Sequence, residues 1–318
     1  MREFAFEMAV AAAVEETTDG LVARQLGTDG RILDLVEIEP GPEFDTRIEL
    51  TAETIPPAVI QGAVGAGRAR PATAVAGDGE TAMAAVDRAI EVGFLEAEHR
   101  SGRRYVRQVA RYPEWFDRLR AIENKPDLGR PGEMELQLRK DVSLAVFDEV
   151  ILATHSHVTG AHRNRIPEEI GIWRVDPETG ERDVLREPAS LPVESETLAI
   201  GRTTPTRVDL EAIPPEEKRR IRCRIAERAY GKGWRPSLPA CRRAEATGPP
   251  FRPDDALPYC GYKGRFVEQA RECGPICDGY EPAEPPDGDP EAARERHSAW
   301  DADPAGRKRR QAGLDRFG

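Results

Sequence analysis

The sequence predicts an α/β protein whose core is interrupted by an inserted module and followed by a cysteine-bearing one. Helical and strand periodicities alternate in two separate stretches, a helix plus hairpin lies between them, and cysteines occur only late in the chain. Such alternation is typical of an α/β core. We therefore divide the chain into two core segments (1–48 and 115–200), an insertion (49–114), a basic, cysteine-rich module (201–280) and a tail (281–318).

The first core segment contains one helix and two strands. The stretch "FAFEMAVAAAVEE" has the apolar spacing of a helix, which ends before Asp19-Gly20. "LVARQLG" predicts a short strand, and "RILDLVEIEP" alternates apolar and polar residues until Pro40 interrupts it. The predicted order is helix, strand, turn, strand.

The insertion combines a helix with a hairpin. "GETAMAAVDRAIEVG" predicts the helix, and "FLEAEHRSGRRYVRQVARY" predicts two strands that turn at "HRSG". A helix followed by a two-stranded wing is the outline of a winged helix-turn-helix unit. The alternative is an inserted hairpin that only covers the core.

The second core segment continues the alternation. "RAIENKP" predicts a strand, "GEMELQLRKDVSLAVF" a helix, and "DEVILATHS" another strand. One face of that helix carries Met134, Leu138, Val142 and Ala145. A hairpin then turns at "DPETGE". Residues 281–318 have too few apolar side chains to form a core, so we expect them to be disordered.

Composition excludes less than it first suggests. The chain has 318 residues and a net charge of -11, and only six of its 46 basic residues are lysine. This acidic, arginine-rich composition is typical of proteins from cells with molar internal salt, where the Debye length is about 3 Å. Net charge therefore does not exclude a nucleic-acid partner.

Membrane insertion and secretion are not indicated. No stretch approaches the roughly eighteen apolar residues that span a bilayer, and no cleavage-like site follows the first helix. We expect a cytoplasmic protein without a membrane partner, in which cysteines bind metal rather than form a disulfide framework.

One lysine stands beside a carboxylate on a predicted strand. Glu123 and Lys125 are two residues apart and therefore share one face of that strand. Asp34 lies between two leucines on an earlier strand, and a buried carboxylate needs a cation or hydrogen-bond donors. Asp34 and Glu123 together provide the two carboxylates that hold Mg²⁺. Lys125 then orients or deprotonates the attacking water and neutralises a phosphoryl transition state, a role that Arg does not fill.

This order of parts resembles the PD-(D/E)XK, or restriction-endonuclease-like, nuclease superfamily. The resemblance depends on five elements in order. They are a helix with Glu7, a strand with Asp34, a strand with Glu123-Asn124-Lys125, a helix with Gln137, and the strand "EVILAT". The resemblance covers roughly residues 1–48 and 115–155. It implies a mixed central sheet flanked by helices, and phosphodiester hydrolysis that depends on Mg²⁺ or Mn²⁺.

The same resemblance assigns roles to individual residues. It implies catalysis by Asp34, Glu123 and Lys125, with Glu7 as a further acidic residue near the metal and Gln137 as the helical glutamine found in some branches. The pattern departs from the family in two ways: no proline precedes Asp34, and about 90 residues separate Asp34 from Glu123. The whole chain also resembles uncharacterised proteins of halophilic archaea, a resemblance that implies no activity.

Histidines and arginines follow the core strands. His155, His157 and His162 are three of the five histidines, and His155 and His157 share a strand face. They form either a metal site or a polar lining that contacts phosphate. Arg163 and Arg165 in the same stretch fit phosphate contacts.

The last module combines thiols with basic and aromatic residues. Four cysteines make a closed tetrahedral zinc site, with an iron–sulfur cluster and unligated buried cysteines as alternatives; the four are Cys241, Cys260, Cys273 and Cys277. Cys223 lies between two isoleucines and is interpreted as a core residue, with ligation as the alternative. Arg219 and Arg220 suit phosphate contact, and Trp234 with nearby Tyr230 suits base stacking.

These observations predict a metal-dependent nuclease. DNA is the favoured substrate and RNA is the alternative. Two other classes stay open: a non-catalytic nucleic-acid-binding or regulatory protein with a degenerate core, and an interaction scaffold without nucleic acid. Metal-dependent cleavage separates the first from the second, and salt-dependent binding separates the second from the third.

Overall fold

A six-stranded mixed sheet organises the chain. The computed structural model describes residues 2–28, 31–50, 55–60, 62, 64–77, 79–109, 111–129, 134–204 and 206–301. The first core segment contains helix α1 (Glu3–Thr17) and strands β1 (Leu21–Thr28) and β2 (Arg31–Pro40). All three elements lie where local periodicity predicted them.

Helix α2 leads from the core into the insertion. The described part of the insertion then contains three helices, a short strand and the predicted hairpin. Its elements are α2 (Phe44–Leu50), α3 (Pro57–Ile60), β3 (Arg70–Pro71), α4 (Ala72–Ala76), α5 (Glu80–Glu91), β4 (Leu95–Arg100) and β5 (Arg103–Gln108). The strands pair in the order β3-β5-β4, all antiparallel. Ser101 and Gly102 both have positive φ, which is the geometry of a tight hairpin turn.

The insertion has an apolar core of its own. The helices and the hairpin of the insertion both contribute buried side chains to this core. They are Ile55, Val59, Ala72, Val75, Val86, Ala89, Phe94, Leu95 and Val106. It is therefore more than a hairpin that covers the central sheet.

The second core segment follows. Its elements are β6 (Phe116–Asn124), α6 (Met134–Leu144), β7 (Glu149–Thr154), α7 (Gly160–Arg165), β8 (Gly171–Val175) and β9 (Arg182–Arg186). The sheet order is β1-β2-β6-β7-β8-β9. The β1/β2, β2/β6 and β8/β9 pairs are antiparallel, whereas β6/β7 and β7/β8 are parallel. The predicted mixed central sheet with flanking helices is confirmed.

Beyond β9 come a hairpin, a long helix and the cysteine-bearing part. Its elements are β10 (Thr197–Thr204), β11 (Arg207–Ile213), α8 (Pro215–Lys232), β12 (Ala244–Thr247), β13 (Leu257–Cys260), β14 (Arg265–Phe266), α9 (Gln269–Glu272) and α10 (Pro290–His297). Strands β12, β13 and β14 form a separate antiparallel sheet.

Helices cover both faces of the central sheet. On β6, Ala121 faces a core that includes residues of α6 and α8, whereas Ile122 faces a core that includes α1. Helix α1 is buried from Phe6 to Glu15, because the sheet lies on one side and Trp234 and Leu257 pack on the other. This burial places Glu7 and Glu15 inside the protein.

Two predicted boundaries are wrong. Helix α8 buries Ile225, Ala226 and Ala229 in the main core. It therefore packs with the central sheet and is not part of the cysteine module. The tail was predicted to be disordered, but within 281–301 helix α10 forms and buries Ala293. Arg294 donates to the backbone oxygens of Ala229 and Tyr230, a tertiary contact that composition does not reveal. Residues 302–318 lie outside the described part.

Candidate functional site

Two strands bring Asp34 and Glu123 together. Strand β2 pairs with β6 from Pro40 to Leu35, where Leu35 lies opposite Ile122, so the next residues along are Asp34 and Glu123. The backbone N–H of Asn124 donates to Oδ2 of Asp34 at 2.8 Å. The expected carboxylate pair on neighbouring strands is thus present in the geometry.

Helix α1 adds acidic side chains to this pair. Nε2 of Gln25 donates to Oε1 of Glu7 at 2.8 Å and lies 3.5 Å from Oδ1 of Asp34. Arg24 also pairs with Glu7, whose other oxygen lies 3.2 Å from the guanidinium. The buried Glu7 therefore accepts hydrogen bonds from Arg24 and Gln25, and Gln25 links it to Asp34.

Burial and a neighbouring carboxylate change the protonation of Asp34. Burial and the neighbouring charge of Glu123 raise the pKa of Asp34 to about 7, against the backbone hydrogen bond from Asn124, with smaller contributions from Glu7 and Glu3. Carboxylates so close together do not all ionise at neutral pH without a compensating cation. The site therefore favours either a retained proton or a bound cation.

Lys125 lies just beyond the end of β6. Its backbone N–H donates to the Ala153 carbonyl at 2.9 Å, and its Nζ donates to Oε1 of Glu3 at 2.9 Å. The hydrogen bond to Glu3 raises the pKa of Lys125, with further contributions from the charges of Glu123 and Asp34. Lys125 is therefore a cation at neutral pH, which favours charge stabilisation over deprotonation of water.

Asp34 and Glu123 offer the oxygen ligands that a hard divalent cation prefers. Among the described residues, no group of three or more His, Cys, Asp or Glu side chains is arranged to hold a metal ion. Mg²⁺ needs only one or two protein carboxylates, because water completes its octahedron.

Three residues near the carboxylates were missed by sequence analysis: Glu3, Arg24 and Gln25. Gln25 has φ of +52°, a left-handed conformation that is unusual for a side chain of this size. Its carbonyl accepts from Nζ of Lys232 at 2.6 Å. No sequence pattern marks this distortion, since it follows from contacts with α1, β2 and α8.

Gln137 lies half-buried on α6, the helix between β6 and β7. Its proposed role at the site stays a prediction.

The histidines do not come together as a metal site. Nδ1 of His155 lies 3.3 Å from the Val175 carbonyl, His157 is exposed, and His162 completes the N-terminal cap of α7. Arg163 and Arg165 are exposed on α7, and Arg165 lies 3.7 Å from Glu135. Their phosphate contacts stay a prediction.

The prediction that Trp234 stacks on bases is wrong. Its side chain is fully buried, and its indole N–H donates to Oε1 of Glu15 at 2.9 Å. Tyr230 is also buried, with the Arg47 guanidinium over its ring. Arg219 and Arg220 are exposed on α8 and remain accessible to a polyanion.

The late cysteines also become neighbours. Burial raises the pKa of the Cys273 thiol, which has the thiols of Cys260, Cys241 and Cys277 as neighbours. Cys223 lies on α8, where its charged neighbours are arginines of the same helix. Cys223 was predicted to be a core residue, and its side chain is partly buried there.

Fold and site together define an α/β protein with a carboxylate and lysine cluster at one end of a mixed sheet. The chain belongs to a family of unknown function (DUF5787), whose model matches residues 21–282. No curated protein and no solved structure matches the chain. Among its described helices, none has the length and apolar character needed to cross a membrane.

Proposed function

We propose that this protein is a metal-dependent nuclease that hydrolyses phosphodiester bonds of nucleic acid. The observation that carries the proposal is the position of Asp34 beside Glu123, with Lys125 next to them. Support comes from topology: α1, the antiparallel β1-β2-β6 strands, α6, and β7 parallel to β6 follow the order of the PD-(D/E)XK core that the sequence resembles.

The residues divide the chemistry between them. Asp34 and Glu123 hold Mg²⁺, which when bound polarises a phosphoryl oxygen and lowers the pKa of water. Lys125 provides a fixed positive charge toward the phosphate, where negative charge develops during the reaction. Gln25 orients both Glu7 and Asp34 through its amide N–H groups.

The insertion supports a nucleic-acid substrate. Its order α3-β3-α4-α5-β4-β5, with sheet order β3-β5-β4, is typical of a winged helix. Helix α5 exposes Glu80, Asp87 and Glu91, whereas the hairpin tip exposes Arg103 and an Arg100 that pairs with Glu98. We therefore assign phosphate contact to the wing rather than to the helix.

A cleavage assay tests the proposal. Labelled single- and double-stranded DNA and RNA are incubated in high KCl with Mg²⁺, Mn²⁺ or chelator. We expect metal-dependent cutting that Asp34→Asn and Lys125→Met abolish. The matched control is Asp183→Asn, because Asp183 is exposed on β9 at the far edge of the sheet. The polymer that is cut identifies the substrate.

A second candidate is a non-catalytic nucleic-acid-binding or regulatory protein. The separate core and basic wing of the insertion favour it, because such a module binds without the carboxylates. Salt-dependent binding of an oligonucleotide, with no cutting in any metal, supports this candidate and contradicts the nuclease. Absence of both contradicts the two together.

A further inference from the structure

The polypeptide turns at each of the four late cysteines. The N–H of Ala244 donates to the Cys241 carbonyl at 2.9 Å. The N–H of Gly264 donates to the Cys260 carbonyl at 2.7 Å. Ala244 and Cys260 lie opposite each other in the β12/β13 pair. The turn that begins at Cys241 therefore ends next to Cys260, the last residue of β13.

The remaining two cysteines return the chain to the same place. Cys273 follows α9, and the N–H of Cys277 donates to the Gly274 carbonyl at 2.9 Å. Shortly afterwards Pro282 forms an isolated bridge with Cys241. The chain thus closes a loop from Cys241 to Pro282, in which Cys273 lies near the other three thiols. None of the four forms a disulfide.

Two cations accompany the thiols. The charge of Lys263 acts on the Cys273 thiol, and Arg265 lies close enough to interact with Cys260 and Cys273. Both cations are anchored by Glu272, with Nζ of Lys263 at 3.3 Å and Nη1 of Arg265 at 3.0 Å. One divalent ion with four thiolates has a net charge of about -2, which two such cations complement.

This part of the chain has little secondary structure to hold it. Strands β12 and β13 have four residues each, and β14 has two. Ile276 is 89% exposed between Cys273 and Cys277, so that loop buries little apolar surface. Segments of this kind are commonly stabilised by a bound metal.

We propose that Cys241, Cys260, Cys273 and Cys277 bind one structural Zn²⁺. Each thiol loses its proton on binding, and the four sulfurs fill a tetrahedral shell that leaves no position for substrate. The thiols are neighbours but do not stand in a metal-binding arrangement. Binding therefore requires the four sulfurs to move into a tetrahedral arrangement.

The part of the chain that carries these cysteines contacts both ends of α1. Arg2 lies 3.7 Å from Glu272, beside Cys273. At the other end, buried Glu15 accepts from Arg235 at 2.6 Å and from Arg252 at 3.0 Å. Zinc thus stabilises the segment that covers the outer side of α1, whether or not the carboxylate site is catalytic.

Metal analysis of the purified full chain tests the site. We expect one zinc per chain under reducing conditions, lost in Cys241→Ser, Cys260→Ser, Cys273→Ser and Cys277→Ser. The matched control Cys223→Ser keeps its zinc, because Cys223 lies on α8. Zinc content does not depend on nuclease activity, so this result and the cleavage result are separate.

A second measurement covers variants that fail to fold. The parent protein is stripped of metal and titrated with Co²⁺, whose visible spectrum distinguishes tetrahedral thiolate coordination from octahedral oxygen ligands. Thiolate bands that saturate at one Co²⁺ per chain support the site. Folded protein with four reactive thiols and no zinc overturns it, as does bound iron with sulfide, or zinc loss caused by Cys223→Ser.

Discussion

Nζ of Lys125 donates a hydrogen bond to Oε1 of Glu3 at 2.9 Å, joining the end of β6 to the first turn of α1. The Lys125 side chain is 28% exposed and that of Glu3 is 61% exposed, so the pair lies at the solvent side of the carboxylate site. In the proposed reaction, Glu3 competes with phosphate for this cation. A nucleic-acid substrate would therefore replace a partner that the lysine already has.

Removal of the Glu3 charge should change the pH dependence of the proposed cleavage. Glu3 contributes to the raised pKa of Asp34, after burial, Glu123 and Glu7. In Glu3→Gln we expect the acid limb of the pH–rate profile to move to lower pH by less than about one pH unit. Glu16→Gln, an exposed change at the other end of α1, is the control. An unmoved or raised acid limb contradicts the assignment.

Asp34→Asn should stabilise the metal-free protein at high pH. The folded pKa of about 7 exceeds the ordinary value of 3.8, so the native state binds more protons than the unfolded state between these values. Stability is therefore lost as pH rises from about 4 to 7. A tenfold change in proton affinity corresponds to about 1.4 kcal/mol, and solvent screening reduces the total, so we expect a gain of roughly 2 kcal/mol at pH 8.

Urea denaturation in chelator at pH 8 and pH 4 measures this gain, which should shrink at the lower pH. Asp183→Asn should change the free energy of unfolding by less than about 0.5 kcal/mol, because that side chain is exposed. Equal effects of Asp34→Asn at both pH values are incompatible with the raised pKa.

Glu15→Gln should destabilise the protein severely. The Glu15 carboxylate is buried and accepts hydrogen bonds from Trp234, Arg235 and Arg252. Burial raises its pKa, but the hydrogen bond and charge of Arg235 outweigh burial and keep the pKa below the ordinary value. Loss of the charge leaves buried arginines short of a partner, which typically costs about 3–5 kcal/mol.

Chemical denaturation of Glu15→Gln beside Glu16→Gln measures this cost. Glu16 is the next residue of α1 but is exposed, so its variant should unfold like the parent. Similar midpoints for both variants would show that the arginine network contributes little.

The wing should control affinity for nucleic acid rather than cleavage chemistry. Arg103 is exposed beside the hairpin turn. For Arg103→Ala we expect weaker oligonucleotide binding and a log–log salt slope lower by about one. Arg88→Ala is the control, since Arg88 lies on α5 and pairs with Glu91 at 2.8 Å. A larger loss from Arg88→Ala would assign binding to the helix instead.

Local periodicity and turn chemistry were sufficient to predict several elements of the fold. Helix α1, strands β1 and β2, and the β4/β5 hairpin were predicted from apolar spacing and from the Gly102 turn. The sequence also predicted that Asp34 and Glu123 lie together, from a carboxylate between two leucines and a carboxylate two residues before a lysine. Their catalytic roles stay a prediction.

Tertiary structure alone decided which side chains are buried and which distant residues meet. Trp234 looked like a stacking residue but fills the core against Glu15, 219 positions away. Gln25 adopts its left-handed backbone where α1, β2 and α8 meet, and α10 forms where Arg294 reaches the end of α8. Such contacts follow from packing between remote segments, which local periodicity does not encode.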